Sequence, residues 1–349
     1  MRKHLAAALG LTAGVLTALL TVATPATAGP KLDAIKARGQ LICGVNTGLA
    51  GFSLADSTGR WTGLDVDMCR ALSAILFNDA NKVRFVPLNT QQRFVALQTG
   101  EVDILSRNTT WTLTRDTQQA LNFAAITYFD GQAFMVAKKL GVKSAKELDG
   151  AAVCVQPGTT TDLNLADYFR ANNMKFKPVV IENLQEVNAA FFAGRCDVLT
   201  TDASGLASIL TKDAPNKGND HMILPEIISK EPLGPAVAQG DEQWIDLVRW
   251  TIFALLEAEE YGITQANADG LGKTSKNPNV LRILGTNSDG KPSGIGPALG
   301  VSEDWVVRAV KAVGNYGEMW DRNIKPLGLP RGLNNLWTKG GLMYAPPIR

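Results

Sequence analysis

Histidine and cysteine are scarce in this 349-residue chain: there are two of the first and four of the second. The cysteines, Cys43, Cys69, Cys154 and Cys196, form no C-x-x-C pair, so a zinc centre has no ligand spacing to build on, and no metal or cofactor is expected. Charge of one sign is also lacking. Lys and Arg number 35 against 33 Asp and Glu, which removes the field that captures phosphate backbones and argues against a nucleic-acid partner. After the first 28 residues no stretch approaches 18 uncharged apolar positions, so no later segment is expected to cross a bilayer.

What is present is apolar and glycine-rich, 45% hydrophobic with 33 Gly, enough for two cores and unlike a disordered chain. Residues 1–28 read as a cleavable secretory signal: Arg2 and Lys3, an apolar run from Leu5 to Val22, then Ala26-Thr27-Ala28 as a small-residue cleavage site. The rival reading, an uncleaved anchor, is weakened by Gly29-Pro30 following that site directly. No Cys follows the cut, so lipid attachment is not indicated. The mature chain would be soluble in an exported compartment, with 33 charges of each sign and a single histidine, His221.

Short strands alternate with amphipathic helices. Leu41–Val45 reads as a buried strand ended by Asn46-Thr47-Gly48, Asp65–Phe77 as a helix with Asp65 and Asp67 at its positive end, Val83–Val86 as a strand, Gln91–Thr99 as a helix stopped by Gly100, and Val102–Ser106 as a strand. Such alternation predicts α/β lobes with largely parallel sheets. The plan then repeats: RFVALQTGEVDIL (93–105) and VNAAFFAGRCDVL (187–199) align without gaps, sharing Ala96/Ala190, Gly100/Gly194, Asp103/Asp197 and Leu105/Leu199. Likewise the strand holding Cys43 resembles Ala152–Gln156, which holds Cys154. Two similar lobes follow, and Cys43–Cys69 with Cys154–Cys196 is the favoured one of three possible pairings, because it closes loops within each lobe. Tyr128–Ala137 and Ser229–Gln239 read as two crossings, making the first lobe discontinuous: 29–133 with 234–349, around a second lobe of 134–233. Trp244–Tyr261 is an amphipathic helix, and a tail from Asp269 onward holds another near Glu303–Asp321.

In open α/β sheets, ligands bind beyond the carboxyl ends of the strands. Four segments lie there: Asn46–Phe52; Ser106–Arg115; Gly158–Thr161 before a helix over Leu163–Asn172; and Thr200-Thr201-Asp202. Together they offer Arg, Asp, hydroxyls and an aromatic, a set complementary to a small zwitterion, because Arg grips a carboxylate and Asp accepts from an ammonium. Asp65 and Asp67 fall on different helix faces, which favours helix-start electrostatics over acid–base work. Trp111 either covers the cleft or braces its own loop. The P-loop-like run from Gly285 to Lys291 has Pro292 where Ser or Thr is required and no clear preceding strand, and the sequon Asn108-Thr109-Thr110 reads as pocket.

On the segment Gly63-Leu64-Asp65-Val66-Asp67-Met68, the run ending in Arg115, and Gly194-Arg195-Cys196-Asp197 followed by Asp202, the chain resembles the periplasmic solute-binding proteins of polar amino-acid ABC importers (family 3). The resemblance runs from about Leu32 to Ala268 and points to the general L-amino-acid and the glutamate/glutamine/aspartate/asparagine binders. It implies a two-lobe periplasmic binding protein fold (type II), its cleft between lobes joined by two hinge strands, and a monomer that delivers a free L-amino acid to membrane permease subunits. It further implies that Arg115 holds the α-carboxylate and Asp202 the α-ammonium, with hydrogen bonds from Asn108, Thr110 and Thr160 and with Phe52 over the ligand side chain. Arg107 stands where many relatives carry a small hydroxyl residue, and either meets an acidic side chain or faces solvent. Two other functions fit the same fold. One is an exported dehydratase of a cyclic carboxylic acid, for which Glu182, Asp130 or Asp162 would have to titrate; the other is a ligand-sensing partner of a membrane receptor.

Overall fold

The computed structural model describes residues 29–349; the signal segment lies outside the described residues. Two five-stranded sheets share one topology. In the first, the order is Val83–Pro87, Leu41–Val45, Ile104–Leu105, Ala236–Ala238, Leu121–Phe123; in the second it is Lys177–Val180, Ala152–Val155, Val198–Asp202, Gln132–Ala137, His221–Ile223. The first three strands of each run parallel, and the fourth runs antiparallel to both its neighbours. Helices cover the sheet faces, as the alternation predicts for parallel strands.

The repeat has a physical basis. Asp103 accepts the Ile42 N–H at 2.8 Å, and Asp197 accepts the Ala152 N–H at 2.8 Å, so each aspartate ties the second strand of its sheet to the central strand, which begins just after the aspartate. The disulfides join Cys43 to Cys69 and Cys154 to Cys196, one pair within each sheet's core. They are nevertheless not equivalent positions. Cys43 pairs in register with Ile104, whereas Cys154 pairs with Leu199, the counterpart of Leu105. That offset of one residue puts the two cysteines on opposite sheet faces.

Both crossings are broken rather than continuous. Tyr128–Asp130 pairs antiparallel with Glu231–Leu233 as a two-stranded ribbon, and the chain then bends into the sheet strands at Gly131 and at Gly234-Pro235. A side chain at Gly131 would meet Ile227 Cγ2 at 2.2 Å, so the outgoing strand turns where the returning chain leaves no room. The loop after Ile104–Leu105 is built onto this ribbon: the Trp111 N–H donates to Pro232 O at 2.8 Å and the Gly234 N–H to Thr109 O at 3.0 Å.

The tail belongs to the first lobe's core. Instead of a single helix near Glu303–Asp321 there are two, Trp305–Val313 and Tyr316–Asn323, broken by Gly314 at φ 78° and restarted by an Asn315/Glu318 capping box. Trp305, Tyr316, Met319 and Trp320 are buried with Leu72 and Leu255 in one cluster. The Gly285–Lys291 run is a tight turn after a helix, Pro278–Ile283, and has no strand before it.

Candidate ligand-binding cleft

A cleft between the sheets is lined by polar and charged residues alone: Asn46, Thr90, Arg93, Arg107, Asn108, Thr110 and Arg115 from the first, and Gln156, Thr159, Thr160, Thr161, Thr201 and Asp202 from the second. Contacts hold the two sides together. Arg93 Nη2 donates to Gly158 O at 3.2 Å, Gln185 Nε2 to Thr47 O at 3.3 Å, and Asn89 Nδ2 to Glu182 Oε1 at 2.5 Å.

The Ser106–Arg115 loop explains its own composition. The Asn108 N–H donates to Asp65 Oδ2 at 2.8 Å, and Ser106 Oγ lies 3.5 Å from Asp65 Oδ1. Asp65 therefore anchors the loop from the helix Leu64–Phe77 and does more than compensate a helix dipole, while burial pushes its carboxyl up to about 7. Asn108 takes φ 30°, a backbone state asparagine tolerates, and accepts from Asn46 Nδ2 at 3.0 Å. Thr112 then caps a short helix by accepting the Arg115 N–H, which turns Arg115 inward, where Nη1 donates to Thr110 O at 2.8 Å. The guanidinium lies 5.2 Å from the Phe94 ring centre.

Arg107 is buried, not solvent-facing: Nε donates to Leu88 O at 2.9 Å inside the cleft. Burial lowers both Arg107 and Arg115 to about 10. On the opposite wall, Thr159 caps the helix Thr160–Ala171, which starts three residues earlier than the sequence pattern suggests and aims its N-terminus at the cleft. Asp202 ends its strand without capping the next helix. Burial, and after it the nearby Asp130 and Glu231, raise its carboxyl well above the usual range.

Arg115, Asp202, Asn108, Thr110, Thr160 and Arg107 thus meet in one place. Phe52 does not join them. It is 1% exposed, its ring edge-on to Tyr128 at 5.3 Å in the first lobe's core. Gly63 at φ 134° brings the helix start so close that a Cβ would sit 2.0 Å from Phe52 O, and the turn sends the ring inward. Trp111 stacks on Phe123 at 5.6 Å, bracing its loop.

With that geometry in place, similarity to known proteins decides the family. The profile of bacterial extracellular solute-binding proteins, family 3, matches residues 41–267. The chain belongs to this family. Among full-length relatives of this solute-binding protein, the General L-amino acid-binding periplasmic protein AapJ of Rhizobium johnstonii is 57% identical over 97% of the chain and 98% of its own length. The Glutamate/glutamine/aspartate/asparagine-binding protein BztA of Rhodobacter capsulatus is 53% identical over 95% and 97%. A Brucella ovis periplasmic binding protein solved with glutathione bound is 55% identical and superposes with a TM-score of 0.88 over 91% of this chain and 99% of that one. These likenesses span the tail as well, beyond the segment on which the sequence resemblance rests.

Four residues fall outside the strand-end segments: Thr90, Arg93 and Gln156 line the cleft, and Glu231 lies behind it. Arg93, on the helix Arg93–Gln98, is buried in the cleft with Nε unpartnered and its guanidinium 4.6 Å from the Phe94 ring centre; burial lowers it well below the ordinary arginine value, and Arg107 and Arg115 lower it further. The repeat carried the signal, because Arg93 aligns with the core residue Val187 and a charge replacing an apolar position calls for a reason. Glu231, buried in the returning hinge strand, accepts from Thr110 Oγ1 at 2.6 Å and Thr160 Oγ1 at 2.8 Å.

Proposed function

We propose that this solute-binding protein is the substrate-binding component of an ABC importer for L-amino acids, acting in the periplasm as a monomer after removal of residues 1–28. The observation that carries the reading is the buried pair Arg115 and Asp202 on opposite walls of one cleft. A buried guanidinium and a buried carboxylate on different lobes are each costly alone, and a zwitterion relieves both at once. Asn108, Thr110 and Thr160 supply hydrogen bonds around it. Arg93 and Arg107 add two further guanidinia, so the preferred ligands carry a second anionic group: glutamate and aspartate ahead of their amides. The relatives named for general L-amino-acid and for acidic and amide amino-acid binding support this range.

The moving units are residues 29–133 with 234–349, and 134–233. The Tyr128–Asp130/Glu231–Leu233 ribbon is the hinge, and a ligand touching both walls favours the closed state through its differential affinity for it. The closed form is what the membrane permease recognises. Of the three carboxyls an acid–base role would call on, Glu182 is engaged by Asn89 at the cleft mouth, Asp130 is raised to about 6 by burial but accepts from Ser204 and Gly131 behind the cleft, and neither Asp130 nor Asp162 lines it. Calorimetric titration of ligand-stripped protein with L-glutamate tests the reading. Arg115→Ala should abolish binding with little change in unliganded thermal unfolding, and undiminished affinity in that variant would remove Arg115 from the site.

A further inference from the structure

Glu231 lies behind the cleft surface and its carboxylate is fully used. Oε2 accepts from Thr110 Oγ1 at 2.6 Å and Thr160 Oγ1 at 2.8 Å, and Oε1 accepts from Asn164 Nδ2 at 2.8 Å and Ser229 Oγ at 2.6 Å. A threonine hydroxyl owns one proton and two lone pairs. The two hydroxyl oxygens also lie 3.4 Å apart, a contact too long to compete with the shorter bonds to the carboxylate, so both protons go to Glu231 and the cleft sides of Thr110 and Thr160 can only accept. Arg115 does not disturb this, because its guanidinium donates to the Thr110 carbonyl and not to the hydroxyl.

We infer that Glu231 is a positioning residue for the ligand's ammonium group, an inference that rests on the amino-acid reading above. By fixing the polarity of two hydroxyls from opposite walls, it completes with Asp202 a set of three acceptors for the three N–H bonds of an α-ammonium. An α-hydroxyl, with one proton, satisfies only one of them and leaves the others facing an oxygen lone pair. The arrangement also depends on closure. Thr110 follows a strand of the first sheet, Thr160 opens a helix of the second, and Glu231 sits on the hinge between them, so parting the walls must break one of the two bonds. The selective acceptor set therefore exists in the closed form.

The test is a comparison of L-glutamate with its α-hydroxy counterpart, (S)-2-hydroxyglutarate, by calorimetry on the full mature chain. The wild type should prefer glutamate by about a hundredfold, the range expected when charge-assisted hydrogen bonds are replaced by lone-pair contacts. In Glu231→Gln the amide oxygen stays with Ser229 and Asn164, so its NH2 turns to the two threonines and their protons point into the cleft. Glutamate affinity should fall about tenfold or more while the hydroxy acid changes by less than about threefold, collapsing the ratio. Equal losses for both ligands, or no loss, would overturn the inference, since a merely structural role cannot change the ratio. Should that variant fail to fold, Thr160→Val decides the matter: it should weaken glutamate selectively, and an equal effect on the two ligands overturns the assignment. A wild type that binds glutamate and prefers it no more than the hydroxy acid refutes the inference alone, whereas a wild type that binds no amino acid refutes the reading beneath it as well.

Discussion

Asn334, deep in the C-terminal tail, holds both backbone groups of Phe129 in the hinge: its Oδ1 accepts the Phe129 N–H at 2.7 Å and its Nδ2 donates to Phe129 O at 3.0 Å. The side chain acts as a third strand one residue wide beside the ribbon. Tyr316 adds a hydrogen bond to Thr127 O at 2.7 Å, and Trp320 stacks on Tyr128 at 5.5 Å. The tail thus braces the outgoing crossing along three consecutive residues, 127 to 129, without reaching the cleft.

Asn334→Ala should therefore cost stability. It leaves a donor and an acceptor of the hinge backbone unpaired, a penalty of about 2 kcal/mol, and the unliganded unfolding temperature should fall by a few degrees. Thermal unfolding with and without glutamate checks this; the loss should appear in both, because Asn334 touches no residue of the cleft.

The two disulfides should contribute comparably. They close loops of 26 and 42 residues, for which denatured-state chain entropy gives about 3–4 kcal/mol each. Denaturant unfolding of the Cys69→Ser/Cys43→Ser and Cys196→Ser/Cys154→Ser double variants measures the two separately, and a loss below about 1 kcal/mol in either would show that the chain-entropy account fails there.

Much of the architecture was legible because it rests on local pattern. Glycine stops, apolar periodicity and the matched Asp103 and Asp197 each encode a contact within one lobe, and the residues converging on the cleft follow strand ends. What was not legible depends on contacts distant in sequence. Phe52 turns inward because Gly63 lets a helix crowd it, the crossings bend where Gly131 meets Ile227 and Gly234 meets Ala125, and Glu231 acquires its role from Thr110, 121 residues away. The cysteine pairing was legible because each bridge closes within one lobe; the one-residue register shift between Cys43 and Cys154, which in a pleated strand exchanges the faces, was hidden by the similarity of the two strands.

Four carboxyls give the pH response an unusual sign. Burial raises Asp65 and Glu257 to about 7 and Asp130 to about 6, and lifts Asp202 well above 3.8. A carboxyl whose folded value exceeds its unfolded one keeps a proton in the native state that the unfolded chain has lost, so stability falls as pH rises between the two values. The unliganded protein should be more stable near pH 5 than near pH 7. Ligand binding should run the other way, because an ammonium favours ionised Asp202 and expels its proton: glutamate affinity should rise from pH 5 to pH 7. Unfolding temperatures and titrations at both pH values check the pair, and parallel trends in the two would contradict it.

Arg93 separates affinity from stability most sharply. Its guanidinium is buried beside Arg107 and Arg115; among the described residues its Nε has no partner and its one hydrogen bond runs to Gly158 O across the cleft. In the unliganded fold that is an unfavourable charge, since desolvation is not repaid by a carboxylate at contact. Arg93→Met keeps the stem and removes the charge, so the unliganded unfolding temperature should hold or rise. The same change should cost glutamate about tenfold to a hundredfold in affinity, the worth of a charge-assisted contact, while glutamine changes by less than about threefold. Calorimetry with both ligands and thermal unfolding without either provide the check. Equal losses for glutamate and glutamine would assign Arg93 to closure of the cleft and not to the side-chain carboxylate.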